Sequence, residues 1–282
     1  MTEGEAAPAA VTAQGGRNLL TRALAALVLA PVAIAIAYAG GGLWTALATL
    51  AAIGLYVEWL AIAGAVQQSR VVVSGVAALA ASGLSLGSGR IEAAVVVLAA
   101  GFAAVALLMP QRRIWTTAGF GYAAVAQLAA VLVRLDQKYG FLALMLIMLV
   151  VWASDIGGYF AGRGIGGPKL WPRVSPNKTW AGAVGGFAAS LLVVAGFAAS
   201  GFGKTGPLLL SGAALSIASQ LGDLFESAVK RHFGVKDSGN LIPGHGGLLD
   251  RLDGLVAALA LAAIFGLLRN GVDGVGRGLV VW

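Results

Sequence analysis

Apolar residues run along this chain in long blocks separated by short polar segments. A helix needs about 17–25 apolar residues to cross a bilayer. Blocks of that order fall at about 19–39, 43–65, 70–87, 91–109, 118–135, 141–162, 179–200, 206–228 and 254–269. The pattern predicts an all-α, polytopic integral membrane protein with about 8–9 transmembrane helices. The pair 70–87 and 91–109 is short, and the end of the last block is vague. Residues 1–16 are rich in Ala, Gly and Thr and are expected to form a disordered tail. The block that opens near Leu19, behind Arg17, has no clean cleavage site, so it is read as a retained helix. The expected organisation is a cytoplasmic tail (1–16), an N-terminal membrane bundle (17–140) and a C-terminal membrane domain (141–282).

Composition agrees with this. Hydrophobic residues make up 59% and charged residues 11%, against roughly 25% charged in a soluble domain. Cysteine is absent, which excludes disulfides, thiolate metal sites and cysteine nucleophiles. A net charge of +7 suits loops lying on anionic lipid and handling phosphates. No basic run with interleaved aromatics occurs, so no nucleic-acid partner is expected. With the N-terminus in the cytoplasm, thirteen of the 19 Lys and Arg fall inside and six outside, as the positive-inside rule requires. The short tail without a targeting presequence points to a bacterial inner membrane. The 42 glycines, Gly185 and Gly186 among them, allow close helix contacts in lipid.

Polar chemistry is concentrated near the C-terminal end. Nine of the chain's charged residues lie between 223 and 254: Asp223, Glu226, Lys230, Arg231, Lys236, Asp237, Asp250, Arg251 and Asp253, with His232 and His245. Charge at the edge of lipid is costly, so function is the first hypothesis for it. On one helix over 206–231, Asp223, Glu226, Ser227, Lys230 and Arg231 share a broad face at about 100° per residue. Lys230 and Arg231 could equally snorkel to the interface. In the loop Pro243 to Gly247, Gly246 and Gly247 would let backbone N–H groups approach phosphate, or would serve only as a turn. Asp250 and Asp253 would line the first turn of the last helix, where acids are also ordinary caps.

Taken together, Asp223, Asp250 and Asp253 are oxygen ligands of the kind Mg²⁺ prefers, with substrate phosphate completing its shell. Lys and Arg beside them would neutralise charge in phosphoryl or nucleotidyl transfer. A zinc site is not expected, because the two histidines have no third nitrogen or sulfur ligand. His232 is read as interfacial filler and His245 as a phosphate contact. A second constellation runs from Asp155, inside an apolar block, through Tyr159 one turn later, to Lys169, Ser175 and Lys178 in a polar loop. Asp155 is a functional candidate by its intramembrane position, or else part of a structural hydrogen-bond network. Ser175-Pro176 reads as the N-cap and first residue of the next helix. Glu58 is expected to make a polar contact within the bundle. A transporter using Asp155, Glu58 and Asp223 is the competing class, but polar groups crowd the C-terminal half rather than matching in two halves.

Ser227-x-x-Lys230-Arg231, Lys236-Asp237, Pro243-Gly244-His245-Gly246-Gly247 and Asp250-Arg251-x-Asp253 together resemble the motif of the phosphatidate cytidylyltransferases (CDP-diacylglycerol synthases). Asp155-x-x-x-Tyr159 and Ser175-Pro176-x-Lys178-Thr179 resemble that family's upstream motif. The likeness covers roughly residues 150–255. It implies a polytopic, homodimeric enzyme of phospholipid biosynthesis, converting CTP and phosphatidic acid to CDP-diacylglycerol and pyrophosphate with Mg²⁺, helped by K⁺. By matched position, Asp223 and Asp250 would hold the metals with Asp253 nearby. Ser227, Lys230, Arg231 and Lys178 would bind the triphosphate or the lipid phosphate. Asp155, Glu226, Gly246 and Gly247 are expected to support them, and Tyr159, Lys169, Ser175, Lys236, Asp237, His245 and Arg251 to contribute to substrate binding. The site is expected at the cytoplasmic face of the C-terminal helices. Ala181 stands where the family often has Glu. A CTP-dependent polyprenol kinase is the alternative within the enzyme class.

Overall fold

The computed structural model describes residues 30–239 and 246–282. Its helices are α1 (Ala30–Ala39), α2 (Gly41–Ile62), α3 (Ser69–Gly87), α4 (Ile91–Leu108), α5 (Arg113–Leu135) and α6 (Gly140–Gly164), followed by α7 (Trp180–Ala199), α8 (Thr205–His232), α9 (Leu249–Asn270) and the short α10 (Val275–Val280). Among the described residues, eight helices are long and apolar enough to cross a membrane. The expected first span is described only from Ala30 to Ala39; its part at 19–29 lies outside the described residues.

Apolar patterning located the helices, and polar contacts set their ends. The block expected at 118–135 starts five residues earlier, at Arg113. There Thr117 returns its hydroxyl to the Arg113 carbonyl at 2.6 Å, and Arg112 donates to the Ala63 carbonyl. The last long helix also starts five residues before its apolar block, so Asp250 and Asp253 lie inside α9. The bundle interior is largely aliphatic and aromatic, and a polar knot joins three of its helices. Gln127 on α5 donates to Thr49 Oγ1 at 2.8 Å and to the Leu79 carbonyl at 2.9 Å, and accepts from Ser82 at 2.6 Å. This satisfies a buried amide that would otherwise cost free energy, and it ties α2, α3 and α5 together.

Helices α6 and α7 pack along a seam of small residues. A β-carbon at Gly185 would lie 2.2 Å from the Ala161 Cβ, and one at Gly186 would lie 2.4 Å from the Ser154 carbonyl oxygen. Such close approach replaces the hydrophobic driving force that is missing between helices in lipid. The seam ends in a two-stranded antiparallel hairpin, β1 (Lys169–Trp171) and β2 (Ser175–Thr179), with Lys169 opposite Thr179 and Trp171 opposite Ser175. This corrects the expectation that Ser175-Pro176 opens a helix. A residue before proline is pushed to extended backbone, so Ser175 continues a strand. Thr179 caps α7 instead, its hydroxyl accepting from Gly182 N–H at 3.1 Å.

At the opposite end of the bundle, α10 folds back against α5, α6 and α9, with Val275 and Leu279 buried. Arg269 lies 3.6 Å from the ring centre of Trp282.

Candidate active site

The C-terminal end of α6, the start of α7, the C-terminal end of α8 and the hairpin enclose a cavity of about 680 Å³. Asp155, Tyr159 and Arg163 reach it from α6, Asn177 and Lys178 from β2, and Gln220 and Asp223 from α8. Spacing explains the placement. Asp155, Tyr159 and Arg163 stand four apart, one above another on a helix face, and Arg163 donates to the Tyr159 hydroxyl at 3.2 Å. Lys178 forms an ion pair with Asp223, both side chains about one-third exposed to the cavity. Ser227, one turn after Asp223, places its hydroxyl 3.5 Å from Asp223 Oδ1.

Helices α8 and α9 cross at two glycines. A β-carbon on Gly222 would meet the Asp253 carbonyl oxygen at 2.7 Å, and one on Gly254 would meet Ser219 Oγ at 2.6 Å. Their neighbours Asp223 and Asp253 are thereby held within electrostatic reach of each other, of Asp155 and of Lys178. Two carboxylates, Asp155 and Asp223, and the Lys178 ammonium therefore line the cavity, with the Asp253 carboxylate nearby.

A second charged cluster sits beside the first. Lys230 bridges Glu226 Oε2 at 2.9 Å and Asp250 Oδ1 at 2.6 Å. Asp250 Oδ2 also accepts from the backbone of Ser238 at 3.0 Å and of Gly247 at 3.3 Å. Glu226 is 1% exposed, and its Oε1 has no hydrogen-bond partner among the described residues. The broad helical face expected from Asp223 to Arg231 is thus split into two stripes. Asp223 turns to the cavity and Ser227 to Asp223; Glu226 and Lys230 turn to Asp250.

The remaining sequence candidates are scattered. Arg231 donates to the carbonyls of Val174 at 3.4 Å and Val235 at 3.2 Å, joining the hairpin to the end of α8. Lys169, Lys236, Asp237 and Arg251 are exposed, and neither they nor Ser175 border the cavity. Gly246 takes a left-handed φ of 84°. His232 stacks on Trp115 with ring centres 4.5 Å apart, as interfacial packing would have it. His245 lies outside the described residues. Asn177 and Gln220 were missed from the sequence; Gln220, three positions before Asp223 in an apolar run, was the readable sign. Glu58 does make a polar contact in the bundle, to the start of α9.

Among the described residues, no three His, Asp or Glu side chains converge into a ready cage for a metal ion. The donor chemistry around Asp223 nonetheless fits Mg²⁺. That ion is ordinarily held by one or two carboxylates, with water and substrate phosphate supplying the rest.

The Cytidylyltransferase family matches residues 20–268. A phosphatidate cytidylyltransferase of Brucella suis is 42% identical over 256 residues, covering 88% of this chain and 93% of the relative. Proteins of the same name from Haemophilus influenzae and Bacillus subtilis are 45% and 46% identical, over 46% and 43% of this chain and 47% and 45% of their own lengths. With helices, cavity and charged clusters in place, the family match spans both halves of the bundle, and the chain belongs to the cytidylyltransferase family of nucleotidyl-transferring enzymes.

Proposed function

We propose that this protein is a phosphatidate cytidylyltransferase, which joins CTP to phosphatidic acid and releases pyrophosphate. The observation that carries the reading is the cavity bounded by the Lys178–Asp223 pair and Asp155, with the Asp253 carboxylate in electrostatic reach of all three. A phosphate oxygen of phosphatidic acid attacks the α-phosphorus of CTP; the new P–O bond forms as the α–β anhydride breaks, and pyrophosphate departs with the bonding pair. That nucleophile is already ionised, so no general base is required. Lys178 exchanges Asp223 for a phosphate oxygen, and Arg163 supplies a second cation at the cavity wall. Mg²⁺, when bound, screens the triphosphate and stabilises charge on the leaving pyrophosphate.

Asp223 and Asp253 are the proposed metal ligands, with Asp155 beside them. Asp250, held by Lys230 and two backbone amides, supports the start of α9 that carries Asp253, and K⁺ is the proposed second cation. Ile156 and Phe160, 58% and 68% exposed beside Tyr159, give the acyl chains an apolar approach from the bilayer. The proposal includes a homodimer in a bacterial inner membrane, N-terminus and cavity facing the cytoplasm.

The test is product release by purified protein in detergent with CTP, Mg²⁺ and phosphatidic acid, following pyrophosphate and CDP separately. Pyrophosphate release that depends on phosphatidic acid, with a CDP-lipid by mass, supports the reading. CDP release with a polyprenol acceptor would replace it with a lipid kinase, and neither product from folded protein would overturn it.

A further inference from the structure

Glu58 lies on α2, in the N-terminal part of the bundle, and does not border the cavity. It is 5% exposed and forms no ion pair among the described residues. A buried carboxylate must be compensated, and here hydrogen bonds do it. Oε1 accepts from Leu248 N–H at 2.8 Å; Oε2 accepts from Leu249 N–H at 2.8 Å and from the Ser238 hydroxyl at 3.1 Å. The amides at a helix start have no partner inside the helix, and negative charge is favoured there. Glu58 is therefore a cap for α9 supplied by a residue 190 positions away from Leu248.

Ser238 links this cap to the charged cluster. Its N–H donates to Asp250 while its hydroxyl donates to Glu58. Two carboxylates thus hold residues 238 and 247–249, the flanks of the segment 240–245. A β-carbon at Gly247 would fall 1.8 Å from Ser238 Oγ and 2.9 Å from Glu58 Oε2, so the clasp closes only over glycine.

We propose that Glu58 is a positioning residue for the transfer reaction. It fixes the first turn of α9 and thereby the approach of Asp250 and Asp253 to the site. The inference rests on the cytidylyl-transfer reading for its kinetic readout alone.

The experiment compares wild type, Glu58→Gln, Glu58→Ala and Ser238→Ala in detergent. It measures kcat, KM for CTP and for phosphatidic acid, thermal midpoint, and hydrogen exchange at the Leu248 and Leu249 amides. Because a displacement of about 1 Å at a reacting centre can cost 10²-fold, Glu58→Ala is expected to lower kcat by about that factor with both KM values within about twofold. Glu58→Gln keeps one acceptor oxygen and should recover part of the loss. Ser238→Ala should lose least. Exchange at the two amides should be slow in wild type and faster in both Glu58 variants. Should Glu58→Ala not fold, Glu58→Gln carries the test. Unchanged kcat in folded Glu58→Gln, a loss that only follows the folded fraction, or fast exchange at both amides in wild type would each overturn the inference. Wild type with slow exchange but no turnover would instead remove the reaction and leave the clasp standing.

Discussion

Two lysine–aspartate pairs lie on neighbouring stripes of α8, and they differ in what surrounds them. Lys178 and Asp223 pair at the wall of a cavity, each about one-third exposed. Lys230 and Asp250 pair in a packed environment, 13% and 16% exposed, with Glu226 and two backbone amides filling the remaining positions. An ion pair that can be re-solvated or exchanged for a ligand suits substrate binding. One whose hydrogen-bonding positions are filled suits holding a loop, since breaking it strands buried charge. The same two residue types thus provide a movable contact in one place and a fixed one in the other.

The largest expected effect falls on the movable pair. Asp223→Asn should lower kcat/KM by about 10³-fold, the scale on which a single charge-stabilising group acts, with the thermal midpoint nearly unchanged; steady-state pyrophosphate release measures it. Unaltered turnover would remove Asp223 from the site. Lys230→Ala should act the other way round, costing about 3–5 kcal/mol of stability because Glu226 and Asp250 lose their shared cation. Detergent-resistant thermal melts check it, and a variant that melts like wild type would erase the contrast between the pairs. Lys178→Ala should lower kcat/KM by about 10²-fold, with Lys178→Arg recovering only part, since a planar guanidinium does not replace an ammonium point charge. The smallest effect belongs to Thr179→Ala, which removes the cap of α7 and should cost about 1 kcal/mol. It should weaken stability more than turnover.

The membrane character of the chain, the position of eight of its spans and the concentration of charge in 223–254 were readable from the sequence because they depend on local hydropathy and on charge that is rare elsewhere. The division of the α8 face was not readable. Helical periodicity places Asp223 and Lys230 on one side, but which of them meets Lys178 and which meets Asp250 depends on how β2 and α9 arrive. Glu58 shows the same limit more strongly. Nothing within its own helix marks it as the cap of another helix far along the chain. Ser175-Pro176 misled for a local reason: serine before proline fits a helix start or an extended strand, and pairing with Trp171 decided for the strand.

The glycine seam between α6 and α7 has a consequence for saturation mutagenesis. Gly185 and Gly186 face atoms that leave no room for a methyl group, and the two helices they join carry or flank Asp155, Lys178 and the hairpin. In an activity screen, alanine at either position would score alongside loss of an active-site carboxylate, although neither glycine carries any reactive group. The map of intolerant positions would then run along the α6–α7 seam to the cavity rim. Its lower part would report spacing, its upper part chemistry, and only melting behaviour would tell one from the other.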